Sequence, residues 1–255
     1  SCNFLVHKSL SKVYVARNLG QPNIIRLDGS GNYDNFVTNG ATSIGEVWSM
    51  DYVCNGDLIV YGGINYSGEL VNSTTGSINI VTNFTPGVSG CCPDVIAYAT
   101  DAVGDAFVIY VNSAPAAINN KIAKVAQSFT NSVWMAPNPV NGFVYLQNKS
   151  LYVNANAGNA VAFNALAVNM NYLYAYDGNS LVAINKNSGV TIAGINTGQT
   201  ARVQGGIAVD DCDNIYLGGN GNIICYGFNG TSFFTLTPIS LRSEERRVGK
   251  ECRSR

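Results

Sequence analysis

The side chains in this sequence best placed to do chemistry together are carboxylates. Asp51, Asp57, Asp94, Asp101, Asp105, Asp210, Asp211 and Asp213 stand at or beside short apolar runs. If several met at one face or in a central channel, they would make a carboxylate site. Two carboxyls facing each other across a scissile bond can hydrolyse a glycoside, and several oxygens from one neighbourhood can hold calcium. A structural role competes with both, because Asp and Asn in turns accept hydrogen bonds from their own backbone. That role is the stronger reading, and the stretch DDCDN from Asp210 to Asn214 lacks the spacing of an EF-hand loop. Asp51, Asp94 and Asp210 are retained as weak candidate binding residues.

The other chemistry-bearing residues are sparse. His7 is the sole histidine and no G-x-S-x-G elbow accompanies it, which argues against a Ser-His-Asp triad. Cys91 and Cys92 are adjacent, a pattern open to metal ligation, to separate disulfides or to small apolar packing. Cys2, Cys54, Cys212 and Cys225 are scattered singly, without the paired spacing of a zinc site, so no metal and no cofactor is expected. All six are candidate disulfide cysteines if the chain is exported. Cys54 and Cys212 occupy equivalent places in the repeat described below, which favours their lying on different blades. GGNGN from Gly218 to Asn222 lies between two strand candidates and opens no helix, so it reads as a hairpin turn and not as a phosphate loop. Trp48 and Tyr216 are weak candidates for an aromatic platform that a sugar could stack on, although most such rings are expected to pack between sheets. Asn-x-Ser/Thr triplets at Asn65, Asn72, Asn83, Asn148 and Asn229 are given no function in so Asn-rich a chain.

These residues must be positioned by many short elements. The chain is 46% hydrophobic and only 12% charged, about half the usual charged fraction, with Asn, Gly, Ser and Thr supplying its polarity. The last stretch breaks that pattern: RSEERRVGKECRSR, residues 242–255, holds nine charged residues in fourteen. It back-translates without strain into a common short-read sequencing adapter and is treated as a non-native tail, excluded from fold reasoning. Without it the net charge is −4 and no basic patch is left to engage nucleic acid. No apolar run reaches about eighteen residues, so no membrane insertion is expected. The opening SCNFLVHK carries neither an initiating Met nor a signal peptide, and residues 1–241 are read as a fragment of a larger protein.

A recurring phrase organises those residues: a short apolar strand, a polar turn, then a strand rich in aromatic and β-branched residues. It appears as WSMDYVCNGDLIVYGG from Trp48, DVIAYATDAVGDAFVIYV from Asp94, ALAVNMNYLYAYDG from Ala165 and GIAVDDCDNIYLGG from Gly206, with a degenerate copy, FLVHKSLSKVYVAR, from Phe4. Two further strands follow each phrase, joined by a turn that recurs in ELVNSTTGSINIV and SLVAINKNSGVTIAGI. The second strands begin near Val13, Leu58, Phe107, Tyr172 and Asn214, at spacings of 45, 49, 65 and 42 residues. Most match one propeller blade. The predicted fold is therefore all-β: a β-propeller of four-stranded antiparallel blades, about five or six, closing a ring incompletely. The long interval contains GFVYLQNKSLYVNA from Gly142, read either as an insertion or as a worn extra blade. A β-sandwich pair also has short alternating strands but leaves the repeated phrase unexplained.

GIAVDDCDNIYLGGNGNIICYGFNG, Gly206 to Gly230, is similar to the repeats of NHL-like propellers, and LVAINKNSGVTIAG, Leu181 to Gly194, resembles the quinoprotein-type repeat without its terminal Trp. Over residues 40 to 237 the overall likeness is to propeller regions of large secreted surface proteins of gliding Bacteroidetes. That resemblance implies an extracellular or cell-surface address and a role in adhesion or surface architecture. It carries over no functional residue. With repeated blades, low charge and no assembled catalytic constellation, the chain is read as a non-enzymatic module for recognition, adhesion or scaffolding whose partner is an unknown protein or glycan. The alternative is a propeller-type enzyme acting on polysaccharide through Asp residues at the channel.

Overall fold

The computed structural model describes residues 3–7, 11–16, 24–33, 47–52, 56–62, 68–82, 93–112, 121–125, 132–137, 166–176, 180–198, 206–210, 212–218 and 222–238. Among these, every regular element is a β-strand, and the strands form five antiparallel sheets in chain order. Blade one is β1 (Asn3–His7), β2 (Lys12–Ala16) and β3 (Ile24–Leu27). Blade two is β4 (Val47–Tyr52), β5 (Leu58–Gly62), β6 (Gly68–Val71) and β7 (Ile78–Thr82). Blade three is β8 (Pro93–Thr100), β9 (Ala106–Asn112), β10 (Lys121–Val125) and β11 (Ser132–Pro137). Blade four is β12 (Leu166–Val168), β13 (Tyr172–Tyr176), β14 (Ser180–Asn185) and β15 (Thr191–Asn196). Blade five is β16 (Ile207–Val209), β17 (Asn214–Gly218), β18 (Ile223–Phe228) and β19 (Phe233–Thr235). The second strands start within one residue of the places that the repeat indicated.

Each sheet is a simple meander because strands this short are joined by turns that the sequence supplies locally. In the third-to-fourth-strand turn of blade two, Asn72 Oδ1 accepts the N–H groups of Thr74 and Thr75, and Gly76 closes the turn at φ +76°. Blade four repeats this with Asn185, which receives Asn187 and Ser188, and with Gly189 at φ +75°. In blade five Asn229 receives Thr231 and Ser232 in a shorter version. A side-chain oxygen that bonds two residues onward offers the backbone a turn in place of a continued ladder, and Gly at positive φ carries no Cβ penalty.

Neighbouring blades bury their apolar faces against each other. Tyr14 and Ile24 of blade one form one core with Met50, Leu58, Val60 and Val71 of blade two. Ala167, Tyr174, Tyr176, Leu181 and Ala183 of blade four form another with Ile207, Ile215, Leu217 and Phe228 of blade five. The first strands follow one another around an arc: β1 packs on β4, β4 on β8, β8 on β12 and β12 on β16. The contact of β8 with β12 makes blades three and four direct neighbours. GFVYLQNKSLYVNA itself lies outside the described residues.

Candidate functional site

Because every blade is an antiparallel meander, its first-to-second and third-to-fourth turns emerge at the same end. The Asp and Asn residues of these turns therefore gather along one rim, where a carboxylate site would have to be. Asp101 Oδ1 accepts the N–H groups of Val103 and Asp105 at 3.1 and 2.9 Å, while Gly104, at φ +89°, donates to the Asp101 carbonyl. In blade four Asn169 does the same for Asn171 and Tyr172. In blade five Asp210 Oδ1 receives Cys212 and Asn214, both at 2.9 Å, and its Oδ2 receives Asn214 Nδ2 at 2.9 Å and Tyr216 Oη at 3.0 Å. Burial pushes the Asp210 carboxyl up, but the bonds from Asn214, Tyr216 and Cys212 outweigh it and hold the group below its ordinary range. A carboxylate offers about four lone-pair sites, and those of Asp210 are all engaged.

A second set of bonds ties the rim of one blade to the next. Lys186, one residue after the turn-forming Asn185, reaches back to blade three and places its ammonium 2.5 Å from Asp101 Oδ2, with Lys186 9% and Asp101 1% exposed. Its carbonyl accepts Trp134 Nε1 of blade three at 3.0 Å. At the first junction the equivalent residue, Ser73, offers its carbonyl to Tyr14 Oη and Arg26 Nη1, each at 2.6 Å. At the last junction Gly230 takes that place, and a Cβ there would lie 3.1 Å from Tyr172 Oη. The position after the turn Asn is thus the one that meets the preceding blade. Blades four and five are further joined by Asn169 Nδ2 and Tyr174 Oη, which donate to Asp213 Oδ1 at 2.5 and 3.1 Å. Asp213 itself stands at φ +57°, a left-handed backbone that Asp tolerates better than most residues.

Asp51 differs from these turn residues. It pairs with Ile59 across the β4–β5 ladder, in the row where blades three, four and five have Ala99, Ala167 and Ala208. One of its oxygens accepts its neighbour Tyr52 N–H and the other accepts Thr100 N–H of blade three, both at 2.8 Å. Thr100 Oγ1 donates to the Tyr52 carbonyl across the same junction. Burial raises the Asp51 carboxyl to about 6 against the opposing pull of these bonds.

Among the described side chains, the candidates Asp210, Tyr216 and Cys225 are neighbours in blade five, and Asp51 lies apart from them in blade two. Asp51 and Asp210 are on the rim, on blades two and five. Asp94 is near the start of β8, seven residues before Asp101 and so about 20 Å from the rim along an extended strand. Tyr216 donates to Asp210 and pairs with Cys225 across the β17–β18 ladder. Trp48 lies in β4, and its side chain, like that of Asp94, is outside the described set. Cys212 is exposed and disulfide-bonded, whereas Cys225 is a buried thiol. Cys2, Cys54, Cys91, Cys92 and residues 242–255 lie outside the described residues. Among the described residues no group of three His, Cys, Asp or Glu side chains is arranged to hold a metal ion. The residues that sequence reasoning missed are the cross-blade partners Lys186, Asn169 and Thr100. Aligning the third-to-fourth-strand turns would have put Ser73, Lys186 and Gly230 in one column, and that was the signal to find.

No family model matches the sequence, and no curated protein does. Among solved structures, the virginiamycin B lyase of Staphylococcus aureus is similar in fold, with a TM-score of 0.56 and 14% identity over 91% of this chain and 69% of that chain. A streptogramin B lyase is similar with a TM-score of 0.57 and 16% identity, covering 92% and 68%. A protein of unknown function from Bacteroides caccae gives 0.54 and 9%, covering 90% and 73%. At these identities the likeness extends to the fold and no further. Together with the five sheets it makes this chain an all-β propeller with an incomplete ring of antiparallel, mostly four-stranded blades.

Proposed function

We propose that this chain is a non-enzymatic recognition or scaffolding module of an exported surface protein. One observation carries the reading: the rim carboxylates whose side chains are described are spent on structure. Asp28, Asp101 and Asp210 organise their own turns. Asp57 accepts Ser73 N–H, and Asp105 meets Lys124 at 2.6 Å. Asp51 and Asp213 bind across blade junctions. A general acid or base must reach a substrate proton, and groups so engaged would have to abandon the turns and junctions they hold. An extracellular address is supported by the disulfide at Cys212, since such bonds persist in oxidising compartments, and by the likeness of the repeats to secreted surface proteins. The partner is then a protein or a glycan.

The test presents labelled chain to an array of surface glycans and matrix proteins, and incubates the same preparation with virginiamycin B and with soluble polysaccharides while products are followed by mass spectrometry. Saturable binding without turnover is the expected result. Turnover that disappears in Asp210→Asn while the fold persists would overturn the reading and favour an enzyme.

A further inference from the structure

The outward face of blade five stands out when it is compared with the same face of the other blades. Each blade turns one row of cross-strand neighbours toward the next. In blade three the row contains Ala99 and Phe107, in blade four Ala167, Tyr174 and Ala183, and in blade five Ala208, Tyr216 and Cys225. Tyr14 holds the same place in blade one. Where a next blade is present, the ring is sealed: Tyr14, Phe107 and Tyr174 are each 0% exposed, and Ala99 and Ala167 are buried. In blade five Ala208 is exposed, Tyr216 is half-buried, and Phe234, on the same face across from Gly227, is 49% exposed. Opposite this row, the inward face of blade five is sealed against blade four.

A repeat that ends an array needs a polar outer face to stay soluble. This face instead carries exposed Ala208 and Phe234 and half-buried Tyr216, with Cys225 buried among them, in the register by which blades three and four engage their successors. We propose that it is a blade-docking face, and that its occupant is a further four-stranded blade of the same repeat in the same polypeptide. Tyr216, a candidate ligand contact on sequence grounds, is then an interblade knob. Its ring would be covered by the incoming blade as those of Tyr14 and Tyr174 are covered by theirs, while its O–H stays on Asp210 Oδ2.

The curvature favours this occupant over a second copy of the chain. Five blades cover 69% and 68% of the two lyase chains, so rings of that kind have room for about two more blades of this size. Two copies would bring ten blades to a ring of about seven, and a head-to-tail contact that cannot close grows into filaments.

Tyrosine iodination read by mass spectrometry tests the proposal, on the 255-residue chain and on the polypeptide as its source cell makes it, captured with an antibody to this chain. In dilute 255-residue chain Tyr216 is expected to react readily while Tyr174 is protected. In the natural polypeptide Tyr216 reactivity is expected to fall by about tenfold or more, to the level of Tyr174. Equal Tyr216 reactivity in the two samples would overturn the proposal. So would protection that appears in the 255-residue chain as its concentration is raised, with a doubled mass in sedimentation, because the occupant would then be a second copy.

Discussion

Replacing Asp51 with Asn should shift stability in the variant's favour as the pH rises from acid to neutral. The folded chain raises this carboxyl from 3.8 to about 6. A tenfold change in proton affinity is worth about 1.4 kcal/mol, so keeping the group charged in its junction costs about 3 kcal/mol. The sign follows from proton binding. Between pH 4 and 6 the folded state holds a proton that the unfolded state has released, so stability falls as pH rises through this window and is level above it. Asn carries no charge to desolvate, but it has one acceptor oxygen where Asp has two. Either Tyr52 N–H or Thr100 N–H then loses its partner, at a cost of about 1–3 kcal/mol. Asp51→Asn should accordingly gain on the parent by up to about 3 kcal/mol between pH 4 and pH 7, because at pH 4 the protonated carboxyl, like Asn, bears a proton on one of its two polar atoms. Urea unfolding of both proteins at half-unit steps from pH 4 to 7.5 gives the difference directly, and carboxylates common to both cancel. Parallel stability curves would show that Asp51 is not desolvated at the junction and would refute the argument.

Three further outcomes follow from the same geometry. Gly189→Ala should destabilise more than Gly31→Ala, because both sites have positive φ but a Cβ at Gly189 would lie 2.6 Å from Trp134 Cε3 whereas nothing lies within 4 Å at Gly31. Thermal melts should show a loss of about 1 kcal/mol for Gly31 and more for Gly189; equal losses would contradict the packing of Trp134 on the blade-four turn. Tyr174→Phe removes one of the two donors to Asp213 Oδ1 and should cost about 1–2 kcal/mol in urea unfolding, with no loss expected if that bond is absent. Reducing the Cys212 disulfide should lower the unfolding midpoint in the wild type and have no such effect in Cys212→Ser.

Much of the fold was legible because its determinants are local. Alternating apolar residues, Asn or Asp at turn starts and Gly where φ is positive lie within a few residues of one another, so the phrases at Trp48, Asp94, Ala165 and Gly206 marked blades two to five. The extra length between blades three and four stayed open as blade or insertion, because GFVYLQNKSLYVNA has strand-like alternation without the full phrase, and it lies outside the described residues. The rim was harder to read. Asp101 and Asp210 stand at repeat positions and their turn roles follow from sequence, but the reach of Lys186 to Asp101 spans 85 residues and leaves no local pattern. Asp51 looked like another turn aspartate because it stands near a turn, yet the ladder puts it in a row of alanines facing the next blade.

The most direct test of a structural rim is a double-mutant cycle on Asp101 and Lys186, the buried pair that joins blades three and four. Asp101→Ala and Lys186→Ala should each cost about 3–5 kcal/mol in urea unfolding, and the double variant well under their sum. Additive losses would mean that the two groups do not depend on each other. The pair would then not join blades three and four, and the structural role given to this junction of the rim would be contradicted.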